Sequence, residues 1–166
     1  MRLLAICLAL FAAVALSGCA KTRTVRYDGP EVTRVVVMKS ARKLFLMHHD
    51  RPLATYDVGL GFQPVGHKER EGDGRTPVGR YMIDKRNHNS NFHLSIGVSY
   101  PNAQDVAVAR AMGVDPGGDI FIHGWNDKSY RQRGRDWTFG CIAVRDAEME
   151  QIYTMVATGT PIDIYE

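Results

Sequence analysis

The chain has 166 residues, and its 21 lysines and arginines against 18 aspartates and glutamates give a formal net charge of +3. That length accommodates one folded domain and excludes two complete catalytic domains. A composition of 45% hydrophobic and 23% charged residues excludes wholesale disorder. The small positive charge also argues against nucleic-acid binding unless the basic residues gather on one face.

The N-terminus has the pattern of an export signal. Arg2 precedes an uninterrupted apolar run of 14 residues at 3–16, which is too short to span a bilayer and matches a signal-peptide core. The run leads into Ser17-Gly18-Cys19, which resembles the lipobox of bacterial lipoproteins. The resemblance implies cleavage before Cys19 and a diacylglycerol on its thiol. The alternative is an ordinary signal peptide whose cysteine is incidental.

The predicted organisation is therefore a signal peptide at 1–18, a lipid-anchored tether at 19–31 and a folded domain at 32–166. Ala20 follows the cysteine, and an aspartate that would favour retention in the inner membrane does not stand there. We expect the protein to face the periplasm, anchored by its lipid to the outer membrane.

Apolar and β-branched segments of the domain predict strands in chain order. They lie at 32–38, 42–47, 53–60, 78–83, 92–98, 119–122 and 160–165. Between the third and fourth strands, residues 61–77 carry four glycines and two prolines, which predicts a long loop of the kind that often serves function.

Two helices are predicted. The first covers 102–112, with Asn102 as its N-cap and Gly113 at its end. The second begins at Asp146 as N-cap and is terminated by Gly159. It carries an apolar stripe with helical spacing at Met149, Ile152, Tyr153 and Val156. Seven or eight strands with about two short helices predict a mainly β (α+β) fold, either a sandwich or a small barrel.

The cysteines single out one thiol. Cys7 leaves with the signal peptide, and Cys19 would carry lipid, so Cys141 has no partner in an oxidising compartment. A leftover thiol in an exported protein indicates either intermolecular pairing or a reactive nucleophile.

A histidine could activate that thiol. His123 lies at the end of a predicted strand, eighteen positions before Cys141, and the residues between them are mostly polar. If this segment loops out and back, the imidazole can face the thiol and take its proton. Gly140 would let the backbone approach closely, and the N–H groups of Gly140 and Cys141 could bind an oxyanion.

The stretch Ile122-His123-Gly124 followed by Thr138-Phe139-Gly140-Cys141 resembles the catalytic motif of the L,D-transpeptidase (YkuD-like) family. Two further segments match in the right order. Residues 72–81 (GDGRTPVGRY) are similar to the family's Gly-x-Thr-Pro-x-Gly-x-Tyr element. Residues 91–96 and 99–102 resemble the murein L,D-transpeptidase-like lipoprotein subgroup. The resemblance implies an L,D-transpeptidase-type sandwich or barrel-like fold over residues 32–166.

The resemblance also implies a reaction. Cys141 would attack a peptidoglycan tetrapeptide stem, release D-alanine and hold the stem as a thioester, with His123 as the base and the Gly140 and Cys141 amides as the oxyanion site. The acceptor would be an amine of another stem, an amine of an envelope protein, or water. The resemblance implies no metal and no organic cofactor. The expected partners are peptidoglycan stem peptides, a covalently attached envelope protein and the membrane, without nucleic acid.

The sequence departs from the family at two positions. Phe139 stands where many members have histidine, and Ala143 stands where many have arginine. Because polar groups beside the nucleophile help to choose between amine and water, the Phe139 difference leaves the acceptor open. The subgroup includes members that cleave amide bonds, so a carboxypeptidase or amidase remains the alternative activity.

Basic residues near the motif are candidates for binding stem carboxylates, because guanidinium groups bind carboxylates through paired hydrogen bonds. Arg131, Arg135 and Arg145 are the predicted clamp, with Lys128 and Arg133 nearby. The alternative is a solvated loop in which Asp127 and Asp136 pair with these cations. His93, Gly124 and Thr138 complete the predicted substrate-binding set.

Two other classes of function compete with this one. A zinc peptidase could use His88, His93, His123 and Cys141, but the sequence offers no Glu beside a His pair as general base. A peptidoglycan-binding lipoprotein without chemistry would not need the Cys141–His123 pair.

Overall fold

A computed structural model of the protein describes residues 27–125 and 134–166. One eight-stranded sheet, in the order β3-β2-β1-β8-β4-β5-β6-β7, is accompanied by two helices. The strands are β1 Arg34–Met38, β2 Lys43–His48, β3 Arg51–Asp57, β4 Gly79–Ser90, β5 His93–Val98, β6 Phe121–Trp125, β7 Ile142–Arg145 and β8 Pro161–Tyr165. The helices are α1 Ala103–Met112 and α2 Asp146–Met155. The prediction of a mainly β domain with two short helices is confirmed.

The strand pairing divides the sheet into two halves. Strands β1, β2 and β3 form an antiparallel meander, and β8 joins β1 in parallel. Strand β4 runs antiparallel to both β8 and β5 and so links the halves. On the far side, β6 is antiparallel to β5 and parallel to β7.

Alternating apolar residues build the core. In β8, Ile162 and Ile164 are buried, and Asp163 between them is also buried, with Arg80 bound to its carboxylate at 2.7 Å. In β1, the fully buried Val35 and Val37 alternate with residues that are only partly buried. This alternation is the expected period of a strand with one buried face. Helix α2 packs on β5 and β6 and buries most of the predicted stripe, namely Met149, Ile152 and Val156, with Tyr153 partly covered.

The two ends of the sheet approach each other beyond β3. Gly59 exchanges two backbone hydrogen bonds with Ala143 of β7, at 2.9 and 2.8 Å, and Gly61 bridges to Thr138. A Cβ atom at Gly59 would lie 2.2 Å from the Arg135 carbonyl oxygen, so only glycine permits this approach. The closure gives the sheet its barrel-like character.

The second helix differs from its prediction at both ends. Its N-cap is Arg145 and not Asp146, because the Glu148 carboxylate accepts the Arg145 N–H at 3.0 Å. It ends at Met155, four residues before Gly159, and the Arg86 guanidinium binds the carbonyl oxygens of Tyr153 and Val156 there. The first helix is as predicted, with Asn102 capping it and Gly113 in the left-handed conformation at its end.

Strand boundaries differ as well. Strand β3 begins two residues earlier than predicted and ends at Asp57, and β4 continues to Ser90 in a long hairpin with β5. Strand β7 was not among the predicted strands. Its four residues are too few for an alternating pattern, and only pairing with β6 makes them a strand.

The predicted signal peptide at 1–18 and the lipidated Cys19 lie outside the described residues, as does most of the tether at 19–31. Over residues 27–125 and 134–166, no helix has the length and apolarity needed to cross a membrane.

Asp136 connects the segment before the Cys141 motif to Arg42 and Leu60 through hydrogen bonds. Its carboxylate accepts three hydrogen bonds from Arg42, at 2.8–3.2 Å, and the Leu60 N–H at 3.0 Å. Both side chains are 20% exposed. The sequence suggested that Asp136 pairs with a cation of its own loop. In the structure its partner is Arg42, which is 94 positions away in the sequence.

Replacing Asp136 with asparagine removes the charge and turns one acceptor oxygen into a donor facing Arg42. We expect Asp136→Asn to lower the free energy of unfolding by about 1–3 kcal/mol, because a charged hydrogen-bond partner is left unsatisfied. Urea denaturation measures the loss. The control is Asp50→Asn, an exposed aspartate in the β2–β3 turn, which should change stability by less than about 0.5 kcal/mol. Equal effects would contradict the role of Asp136.

Candidate active site

Strand pairing brings His123 and Cys141 together. The parallel register of β6 and β7 pairs His123 with Ala143 and Ile122 with Ile142. Continued by one residue, it sets Cys141 level with Phe121. Side chains alternate between the two faces of a sheet, so Cys141 and His123 lie on the same face, on neighbouring strands, two residues apart along the strand direction.

The His123 ring is fixed in one orientation. It is 4% exposed, and its Nδ1 lies 2.8 Å from the Gly124 carbonyl oxygen. A carbonyl oxygen only accepts, so Nδ1 carries the hydrogen and Nε2 keeps a lone pair. Phe92 packs against the ring at 4.7 Å between centroids and Trp137 at 5.9 Å. The group that orients this histidine is therefore a backbone carbonyl.

The pKa of His123 is lowered, chiefly by burial, although the Gly124 carbonyl and the Asp146 charge oppose the shift. The resting imidazole is therefore neutral at pH 7 and can accept a proton at Nε2.

The Cys141 thiol is also neutral at rest. Burial is the largest cause that raises its pKa, and the Asp119 carboxylate adds to the shift, while the backbone at Phe121 and the Lys68 ammonium oppose it. Its Sγ lies 3.5 Å from the Asp119 carbonyl oxygen. Cys141 is the free cysteine of the described residues. A protonated thiol beside a neutral imidazole needs proton transfer during attack and does not start from a preformed ion pair.

Cys141 lies at the end of a tight turn that begins at Thr138. Thr138 Oγ1 donates to the Cys141 carbonyl oxygen at 2.7 Å and accepts the Gly140 N–H at 3.1 Å. Gly140 has φ +124°, and a Cβ there would lie 2.6 Å from the Arg75 carbonyl oxygen. The turn therefore requires glycine on two grounds.

The turn bears on two of the predicted roles. The Thr138 side chain is 3% exposed and both of its hydrogen bonds serve the turn, so its contact with substrate stays a prediction. The Gly140 N–H is already donated to Thr138, so it is not a free oxyanion donor in this conformation. The Cys141 N–H remains the predicted donor.

Two cavities lie around Trp125. The first, of about 170 Å³, brings together the predicted binding residues Arg135 and Arg145. Arg135 is partly engaged, since it donates to the Val58 carbonyl oxygen at 3.2 Å and to Asp57 at 3.3 Å. The Arg145 guanidinium makes no ion pair within the described ranges. The lining residues are Asp57, Val58, Gly59, Trp125, Arg135, Ala143, Val144 and Arg145.

The second cavity, of about 150 Å³, contains His93 and Gly124 from the predicted set. The His93 ring is 2.9 Å from a Glu150 carboxylate oxygen. A Cβ at Gly124 would lie 2.5 Å from Asp146 Oδ1 and 2.9 Å from the Phe92 carbonyl oxygen, so the backbone contact requires glycine here. The lining residues are Asn91, Phe92, His93, Gly124, Trp125, Trp137 and Asp146.

Some predicted residues are not placed in this site. Arg131, Lys128 and Arg133 fall in 126–133, outside the described residues. The four ligands of the zinc alternative do not come together. Within the described ranges, no group of three or more His, Cys, Asp or Glu side chains is arranged to hold a metal ion.

Sequence reasoning missed Asp146 and Phe92 as members of the site. Asp146 was interpreted only as a helix cap, and Phe92 only as part of a strand and a family motif. No local pattern distinguishes these roles, because Phe92 packs on the His123 ring and Asp146 lies against Gly124 only after distant parts of the chain have come together.

Similarity to known proteins covers most of the chain. The sequence profile of the L,D-transpeptidase catalytic domain (YkuD) family matches residues 32–164. No curated protein sequence matches the chain. Among solved structures, the helical cell shape determining protein Pgp2 from Campylobacter jejuni is 23% identical, with a TM-score of 0.64. The match covers 84% of this chain and 49% of Pgp2.

Two further structures are similar. Bd1075 from Bdellovibrio bacteriovorus is 23% identical with a TM-score of 0.59, over 81% of this chain and 48% of that one. The L,D-transpeptidase from Xylanimonas cellulosilytica (residues 123–326) is 15% identical with a TM-score of 0.52, over 84% and 63%. The chain thus spans about half the length of Pgp2 and Bd1075, and at these identities the likeness shows the fold.

The raised pKa of Cys141 predicts how the thiol reacts with iodoacetamide. With Cys7 and Cys19 replaced by serine, alkylation of the folded protein should still accelerate above pH 9, because the thiolate fraction continues to grow there. The same protein unfolded in urea should titrate near the ordinary cysteine value of about 8.5. A folded-state rate that is constant from below pH 7 would instead indicate a resting thiolate–imidazolium pair.

Proposed function

Because the chain belongs to the L,D-transpeptidase catalytic domain family, we propose that it is a cysteine acyltransferase that modifies peptidoglycan stem peptides. The observation that carries the proposal is the pairing of β6 with β7. It sets Cys141 on the same face as His123, whose Nδ1–H is held by the Gly124 carbonyl and whose Nε2 is left as the base.

In the first half-reaction, Cys141 Sγ attacks the carbonyl carbon of the diamino acid in a tetrapeptide stem while His123 Nε2 takes the thiol proton. The C–S bond forms, and the carbonyl oxygen becomes an oxyanion near the Cys141 N–H. Collapse restores the carbonyl and breaks the C–N bond to D-alanine, whose nitrogen receives the proton from His123.

In the second half-reaction, an acceptor amine attacks the thioester and gives a proton to His123. The new amide bond forms, the C–S bond breaks, and the sulfur recovers that proton. With water as the acceptor, the same steps give a carboxypeptidase. A peptidoglycan–protein amide attacked in the first step would make the enzyme an amidase.

The exposed Phe139 bears on whether the acceptor is an amine or water. Its ring is 74% exposed and packs edge-on against Phe62, at 5.3 Å between centroids, two residues before the nucleophile. It offers no polar group to an acceptor amine, which keeps hydrolysis as the alternative activity.

The proposed location in the cell rests on the N-terminal sequence pattern. With lipid on Cys19, the domain would work in the periplasm on a tether from the outer membrane, within reach of stems and of envelope proteins attached to them. Because Pgp2 is a cell shape determining protein, we extend the proposal to a role in cell shape.

The decisive experiment incubates residues 20–166 with disaccharide-tetrapeptide and follows the products by mass spectrometry. We expect loss of the terminal D-alanine. Cys141→Ala should reduce the rate by at least about a thousandfold, because the covalent intermediate cannot form.

The products discriminate between the alternatives. New dimers would establish transpeptidation, and loss of D-alanine without dimers would establish a carboxypeptidase. If neither occurs, peptidoglycan carrying a covalently attached protein is the next substrate, and release of that protein would establish an amidase. No reaction with either substrate would contradict the proposal and favour a binding lipoprotein without chemistry.

The first cavity predicts a carboxylate clamp at Arg145, because its guanidinium lines the same space as Arg135 and forms no ion pair within 4.0 Å with a described residue. The Asp57 carboxylate in that cavity, whose pKa Arg145 helps to lower, is already paired with Lys43 and Arg135. Arg145→Ala should raise the KM for the donor stem about tenfold, the cost of one charge-assisted hydrogen bond. Arg110→Ala, which removes an exposed arginine of α1, is the matched control. An unchanged KM in Arg145→Ala would exclude the clamp.

A further inference from the structure

The second cavity adjoins His123 on the side of Gly124 and is not used by the mechanism above. We infer that this cavity binds a primary alkylammonium group of the substrate, held by the Asp146 carboxylate between aromatic rings. The inference deepens the proposed function and rests on it for the identity of the substrate.

The charge of the cavity favours a cation. Among the described residues that line it, Asp146 is the one carboxylate. Its side chain makes no hydrogen bond or ion pair with a described residue, although its charge acts to raise the pKa of His123. His93, the other titratable lining residue, is engaged with Glu150 at 2.9 Å. The neighbouring Arg145 lines the first cavity, and the described residues that line the second include no lysine or arginine.

The walls of the cavity are suited to an alkylammonium. Phe92, Trp125 and Trp137 line it, with centroids 5.8 Å apart for Phe92 and Trp137 and 6.1 Å apart for the two tryptophans. Aromatic faces attract ammonium groups and also pack against methylene groups. A carboxylate at one wall and aromatic rings at the others select an amine over an alcohol of the same length.

The position of the cavity shows which part of a substrate it would hold. Asp146 Oδ1 lies against Gly124, which pairs with Val144 of β7, three residues beyond Cys141. Three residues of a strand span about 10 Å. An ammonium bound there is therefore remote from the carbon that reacts with Cys141.

Two sources carry such a group, namely the side chain of the diamino acid in the donor stem and an amine of the acceptor other than the one that attacks the thioester. Trp125 lines both cavities, and the first cavity contains the guanidinium groups of Arg135 and Arg145. The two cavities together would recognise a substrate that bears both an ammonium and a carboxylate.

The binding test uses the Cys141→Ser protein with n-pentylammonium as the probe and n-pentanol as its neutral control. The chain has two tryptophans, and both line this cavity, so intrinsic fluorescence reports on it directly. We expect a saturable change with the ammonium and none with the alcohol. Adding Asp146→Asn should weaken binding at least about tenfold, whereas adding Asp50→Asn should not.

Equal responses to ammonium and alcohol would overturn the inference, as would equal affinities with and without Asp146→Asn. Circular dichroism of each variant establishes that it is folded. The binding test needs no turnover. It therefore tests whether the cavity binds an ammonium even if the enzyme releases no D-alanine and the proposed function fails.

The kinetic test separates the two sources. Without an acceptor, kcat/KM for D-alanine release is compared between a tetrapeptide with a free side-chain amine and one with that amine acetylated. If Asp146→Asn reduces this preference at least tenfold, the donor supplies the ammonium. If only the ratio of amine transfer to hydrolysis falls, the acceptor supplies it. If Asp146→Asn changes neither the preference for the free amine nor the ratio of amine transfer to hydrolysis, the cavity does not bind an ammonium and the inference fails.

Discussion

The parallel pairing of β6 with β7 is the constraint on which the active site depends. Its register places Cys141 beside the strand that carries His123, although eighteen positions of sequence separate the two residues. Because side chains alternate along a strand, a slip of one residue would turn the thiol to the opposite face. The flanking isoleucines, Ile122 and Ile142, are fully buried and hold the register through the core.

Close backbone contacts then position the cysteine within that frame. The approach of Gly59 to Ala143 and of Gly140 to the Arg75 carbonyl leaves no room for a Cβ atom at either glycine. Asp136 and Thr138 satisfy the polar groups that these contacts bury. The nucleophile is thus held by backbone hydrogen bonds and packing from three separate parts of the chain.

Burial sets the chemical state of the pair. It raises the pKa of Cys141 and lowers that of His123, so both groups rest uncharged. Among the charged residues nearby, Arg145 lines one cavity and Asp146 lines the other. The neutral reacting pair thus lies near one cavity that contains Arg145 and another that contains Asp146, and this arrangement is the basis for proposing a substrate that carries both charges.

The sequence alone was sufficient for the mainly β fold class, both helices, the buried stripe of α2 and the Cys141 and His123 candidates, since these follow from local periodicity and from motifs. It could not show β7, whose four residues become a strand only through pairing with β6. Tertiary structure likewise decided that Thr138 is buried in the turn and that Asp146 reaches Gly124. The physical reason is the range of the interactions: local patterns encode backbone preference, whereas the neighbours of a side chain are set by strands that meet only in the folded sheet.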